Sequence, residues 1–124
     1  MRPAALLASK RSVLELQADA MSESELQAWV IELANLLGWR IHHCRTAMNS
    51  RGRWMTPIQG DPGFCDLLLL RGERGLAVEL KAQRGNLTAQ QADWLAAWAL
   101  IPGFLAGVWR PLDWLEGTIE RLLR

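Results

Sequence analysis

A chain of 124 residues is one domain's length, enough to bury a single core. Hydrophobic residues make up 50% and charged residues 22%, which excludes a disordered chain, a collagen or a solvated charge-rich tail. Fourteen basic residues against thirteen acidic leave a net charge of +1; this excludes a polybasic binder acting by bulk charge but not a local basic surface. There is no run of about 18 apolar residues, so no membrane span is expected, and Met1 to Leu7 is too short for a signal peptide. Cys44 and Cys65 stand 21 positions apart with no CxxC pair. Neither a disulfide framework nor a cysteine zinc site is expected, and the expected compartment is a reducing cytoplasm.

The first twenty residues read as separable, either a flexible leader or a short helix around Val13, Leu14 and Leu16. Residues 21–124 read as the domain proper. Ser22 with Glu25 fits a capping box. Leu26, Trp29, Val30, Leu33, Leu36 and Leu37 then recur at helical spacing, and Gly38 is placed to end the helix. Trp39 to Cys44 changes to period two: Trp39, Ile41 and His43 share one face, and Arg40, His42 and Cys44 the other. Residues 46–63, with three glycines and two prolines, read as a long loop of the kind that carries function.

Asp66 opens the apolar run Leu67 to Leu70, a strand buried on both faces. The turn 71–75 closes a hairpin with the strand Leu76 to Lys81. Thr88 with Gln91 is a second capping box, before a helix carrying Trp94, Leu95 and Trp98. Pro102-Gly103 ends it, Phe104 to Trp109 is another strand, and Pro111 and Asp113 introduce a last helix. The predicted fold is α/β, a mixed sheet flanked by helices in the order α-β-β-β-α-β-α. Most of the seven tryptophans fall at periodic positions and read as core packing.

One constellation can do chemistry. In a 66–81 hairpin, chain reversal brings Asp66 and Glu79 to the same end, and period two puts Lys81 on the face of Glu79. Two carboxylates repel unless a cation sits between them. Their oxygens suit Mg²⁺, which keeps waters and binds phosphate oxygens, and a lysine beside it can hold a water or a phosphate charge. This reads as metal-dependent phosphodiester hydrolysis. The plainer alternative is a strand-end salt bridge between Lys81 and an acid.

The chain also resembles the VRR-NUC domain, a branch of the PD-(D/E)XK nuclease superfamily. Several motifs carry the resemblance in order: SESELQ at 22–27, LGW at 37–39, His43, GDPGFCDLLLL at 60–70 and VELK at 78–81. GNLTAQQADWL at 85–95 and Trp109-Arg110-Pro111 with Asp113 complete it. Cys65-Asp66 stands where the family usually has Pro-Asp. The resemblance implies a restriction-endonuclease-like core and a Mg²⁺ site, with Mn²⁺ able to substitute. It assigns Asp66, Glu79 and the Leu80 carbonyl to the metal. Lys81 is assigned to the attacking water, Glu25 to a helix acid completing the site, and Gln91 to a position near Lys81 or the scissile phosphate. Glu25 and Gln91 each also fit as the acid or amide of a capping box, and Gln90 is the neighbouring alternative to Gln91.

Between Arg40 and Arg53 there are four arginines, two histidines and no acid. Arg45, Arg51 and Arg53 are expected to contact DNA phosphates, with Arg84 extending the strip and His43 at the site edge. Standalone members of the family are similar to Holliday junction resolvases and act as homodimers. The expected activity is therefore structure-selective DNA cleavage by a homodimer on branched DNA, with a helicase or replication protein as a further partner and no membrane. A flap or nicking endonuclease is the alternative enzyme. A catalytically silent nucleic-acid-binding module is the alternative outside that class.

Overall fold

Ser22 starts the first long helix. In the computed structural model, which describes residues 13–44, 47–48, 54–55 and 59–124, its hydroxyl accepts the Glu25 N–H at 3.0 Å and donates to Glu25 Oε1 at 3.1 Å. Residues 13–20 are helical (α1) and precede helix α2 (Glu23–Leu36). Ala18 of α1 is fully buried, and Asp19 is bonded to Arg84. Residues 1–12 of the predicted leader lie outside the described residues. No helix among the described residues is long and apolar enough to cross a membrane.

The architecture is mixed α/β. Strands β1 (Arg40–His43), β4 (Leu67–Arg71), β5 (Arg74–Leu80) and β6 (Phe104–Trp109) form one sheet in the order β1-β4-β5-β6. β1 and β5 each pair antiparallel with β4. Gly75 N–H donates to Gly103 O, and Lys81 N–H to Trp109 O. Both partners advance together by six residues, so β6 runs parallel to β5 and the sheet is mixed. Helix α3 (Ala89–Ala99) makes the crossover between them, as a parallel pair requires.

The 46–63 segment is not wholly loop. β2 (Ala47–Met48) and β3 (Trp54–Met55) form a two-stranded ribbon inside it. Two-residue strands are too short for alternation to show in sequence. The last helix is also divided, into α4 (Pro111–Leu115) and α5 (Thr118–Leu123). Gly117 lies between them at φ +80°, a left-handed conformation that stops one helix before the next begins.

The backbone separates into two compact units. One holds the described residues up to Leu37, with Leu80–Asn86 and Trp109–Arg124; the other holds those of Gly38–Glu79 with Leu87–Val108. In the helical unit, Leu26, Val30 and Ala34 of α2 form an i, i+4, i+8 stripe with no exposure, as do Ile119 and Leu123 of α5. Trp29 is 53% exposed and meets Trp114 edge-on at 5.7 Å. Arg110 braces this unit. Its Nη1 donates to the carbonyls of Ala82, Gln83 and Gly85 at 2.8–3.3 Å, while its N–H donates to Asp113 at the start of α4. Gln83 Oε1 accepts the Leu112 N–H, one of the donors the helix start leaves unpaired.

In the sheet unit, α3 covers one face. Its Leu95 packs against buried Cys65 and Ala77. An aromatic row, Trp94, Phe64, Trp98 and Phe104, runs alongside with neighbouring centroids 4.9–6.4 Å apart. Phe104 lies over Gly75, where any Cβ would collide with its ring.

Candidate active site

The strand register places the two sequence-predicted carboxylates. β4 and β5 pair up to Leu67 opposite Val78. Asp66 is a bend immediately before β4 and Glu79 follows Val78 in β5, so the two carboxylates lie at the same end of the hairpin. β1 reaches the same end: His43 pairs with Leu67, and Cys44 N–H donates to Asp66 O at 3.0 Å. Glu79 lies on the face of β5 that carries Ala77 and is covered by α3.

Glu79 is only 2% exposed, the one buried charged residue among the described residues. Burying a carboxylate among leucines is costly unless hydrogen bonds compensate. Gln91 supplies one: its Nε2 donates to Glu79 Oε1 at 2.8 Å. The other end of the same amide accepts the Thr88 N–H at 2.9 Å, and the Gln91 N–H donates to Thr88 Oγ1 at 3.1 Å. The capping box and the contact to Glu79 are therefore one structure. The box orients the amide oxygen toward the helix start and leaves its N–H₂ for the acid. Of the two adjacent glutamines, Gln91 makes this bond and Gln90 is exposed.

The loop before Asp66 is held against α3. Trp94 Nε1 donates to the carbonyls of Asp61 and Pro62 at 3.3 and 3.0 Å, and Phe64 meets the Trp94 ring edge-on at 5.1 Å. Gly63 has φ +97°, and a Cβ there would lie 2.5 Å from the carbonyl carbon of Gln90. The glycine lets the loop touch the first turn of the helix that presents Gln91. Sequence reading missed Trp94 as a loop anchor, although its spacing behind the capping box was visible.

Cys65, the residue before Asp66, is buried. Burial pushes its thiol up from an ordinary 9.0 to about 12, with Glu79 and Asp66 adding to the rise and a backbone hydrogen bond from Val78 opposing it. The thiol keeps its proton in the folded chain above pH 9, while the unfolded chain releases it. Stability supported by this group is full below pH 9 and is lost as pH rises toward 12. The expected result is a urea midpoint for the wild type that falls between pH 8.5 and 10.5 by more than that of Cys65→Ala. Equal falls in the two proteins would remove Cys65 as the cause.

His43 pairs with Leu67 on the sheet face opposite Glu79, whereas exposed His42 pairs with Leu68 on the face that carries Ala77 and Glu79. Lys81 and Leu80 belong to the helical unit, and Leu80 has a fully buried side chain. Glu25 is in the helical unit too, exposed and engaged by Ser22. Arg84 does not present an open guanidinium fork: Nε and Nη2 bind Asp19 Oδ1 and Oδ2 at 3.1 and 3.0 Å, which raises its pKa further. Arg45, Arg51 and Arg53 lie outside the described residues.

Among the described residues no three His, Cys, Asp or Glu side chains gather where they could hold a metal ion; the carboxylates at this end of the hairpin are the pair Asp66 and Glu79. Such a pair fits Mg²⁺, which is commonly held by one or two carboxylates, with waters and phosphate oxygens completing its shell. Comparison with family models, curated proteins and solved structures finds no match to this chain.

Proposed function

We propose that the chain is a metal-dependent, structure-selective DNA endonuclease, acting as a homodimeric Holliday junction resolvase. The observation that carries the reading is the buried Glu79, at the same end of the hairpin as Asp66 and oriented by Gln91 through a 2.8 Å hydrogen bond. Burying a carboxylate near a second one is destabilising. Retention of the pair beside an amide that orients one of them is the pattern of a functional site. The likeness of the motifs to the VRR-NUC domain supplies the reaction class.

In this reading Asp66, Glu79 and the Leu80 carbonyl hold Mg²⁺ or Mn²⁺. The ion, when bound, lowers the pKa of a water and stabilises charge on the phosphate. Gln91 keeps the Glu79 carboxylate in one rotamer, so little reorganisation is required at the moment of reaction. Lys81, two residues beyond Glu79, is assigned to hold the attacking water. The proposal does not require Glu25, whose carboxylate is engaged by Ser22.

End-labelled four-way junction, flap and linear duplex DNA, each with Mg²⁺, Mn²⁺ or EDTA, test the reading. The expected result is paired, symmetric nicking of the junction, lost in EDTA. Flap cutting without paired nicks would reject the resolvase and retain the chemistry. Tight junction binding with no cleavage under any metal would reject the enzyme in favour of a silent binding module.

A further inference from the structure

The two edges of the four-stranded sheet differ in kind. β1 is one edge and carries Arg40, His42 and His43. β6 is the other. It reads Phe-Leu-Ala-Gly-Val-Trp, with no charge and no proline, and among the described residues it pairs only with β5. Charges and prolines keep a strand edge from pairing with another chain, and β6 has neither. Gly103 and Trp109 each accept an N–H of β5 on the main-chain carbonyl. Backbone direction alternates along a strand, so Ala106 and Val108 turn their N–H and C=O away from β5, to the open edge. The Phe104 N–H is held by Ile101 O.

The side chains of β6 alternate as well. Ala106 and Val108 pack against the cluster of Cys65, Ala77 and Leu95 on the α3 side, and Phe104 lies over Gly75. Leu105 and Gly107 therefore face the other way. Leu105 is 55% exposed. Gly107 has no positive φ, and among the described residues nothing stands within 4 Å of where its Cβ would be. Neither backbone conformation nor packing within the chain calls for a glycine there. A glycine inside a strand weakens it and marks a place where another backbone approaches closely.

A second copy of the chain matches this edge. When β6 of two copies pairs antiparallel about a twofold axis through Ala106, that residue exchanges N–H···O bonds with its own counterpart. Val108 N–H of each copy then reaches Phe104 O of the other. The same register sets Leu105 of one copy opposite Gly107 of the other, in a non-hydrogen-bonded pair, where Cα atoms are about 4.5 Å apart and side chains lie closest. The exposed leucine of each copy fills the open space beside the glycine of the other. The contact uses the same patch twice and closes on itself.

We propose that β6 is the dimer surface: two copies join edge to edge into one continuous sheet, with Leu105 of each seated against Gly107 of the other. This deepens the homodimer of the reading above and rests on that part of it. Sedimentation equilibrium of the full chain, without DNA or metal, tests it, and near-ultraviolet circular dichroism checks the fold. The wild type is expected to be dimeric at micromolar concentration. Leu105→Lys puts a charge on the edge, and Gly107→Val fills the open space; each is expected to raise the dimer Kd at least about tenfold. Leu105→Ala/Gly107→Leu exchanges the large and the small residue and is expected to return Kd to within about threefold of wild type. A monomeric wild type overturns the proposal and the homodimer together. A dimer that folded Leu105→Lys leaves intact overturns β6 as its surface and keeps the homodimer. Weakening in both single variants with no recovery in the exchange variant overturns the Leu105–Gly107 register. Cleavage is not read, so a failed nuclease assay leaves this result standing.

Discussion

Asp66→Asn and Glu79→Gln are each expected to reduce cleavage by at least about 10³-fold, the scale set by loss of a preorganised charge at a reacting centre. Both changes keep shape and remove charge. Gln at position 79 still offers a carbonyl oxygen to the Gln91 Nε2 that now donates to Glu79 Oε1. Junction binding in EDTA is expected to persist, because phosphate contacts by arginines do not involve these acids. The urea midpoint is expected to hold or rise, since a buried carboxylate near a second one costs stability and a functional site retains the pair against that cost. Cleavage at wild-type rates in either variant would remove that residue from the site. Loss of cleavage together with a large fall in midpoint would make the acid a structural element.

Gly63→Ala is expected to have the largest effect on stability, a loss of about 2–4 kcal/mol from combined backbone strain and overpacking. At φ +97° an alanine is strained, and its Cβ would press on the backbone of Gln90 rather than on a movable side-chain tip. Relief requires the 59–64 loop to withdraw from the first turn of α3. That withdrawal loosens the Trp94 bonds to Asp61 and Pro62 and the cap that holds Gln91. Cleavage is therefore expected to fall along with the urea midpoint. A midpoint within about 0.5 kcal/mol of wild type would mean that the loop does not rest on the helix, since surface changes without a special role stay in that range.

Much of the fold is legible because its signals are local. Ser22 with Glu25 and Thr88 with Gln91 start helices where they are expected, and Gly38 at φ +82° ends one. The apolar run Leu67–Leu70 and the turn 71–75 specify a hairpin, and a hairpin brings Asp66 and Glu79 to the same end. The ribbon 47–48 with 54–55 escapes such reading because two residues define no period. The split at Gly117 escapes it because Leu115, Ile119 and Leu122 keep helical spacing through the break.

The candidate site divides in the same way. Period two and chain reversal determine from sequence alone which residue types meet at one end of the sheet: two acids, with a lysine two residues beyond one of them. Strand alternation also separates His42 from His43, leaving the first on the face of Glu79. Only tertiary structure decides that Gln91, twelve residues from Glu79, both caps its helix and reaches the acid, because that requires α3 to cross back over the sheet. Only tertiary structure turns Arg84 onto Asp19, 65 residues away, and stacks Arg71 and Arg74 on Trp39. Local pattern records which backbone hydrogen bonds and faces a segment can form. Which side chains then meet depends on packing between segments distant in sequence, and no spacing rule encodes that.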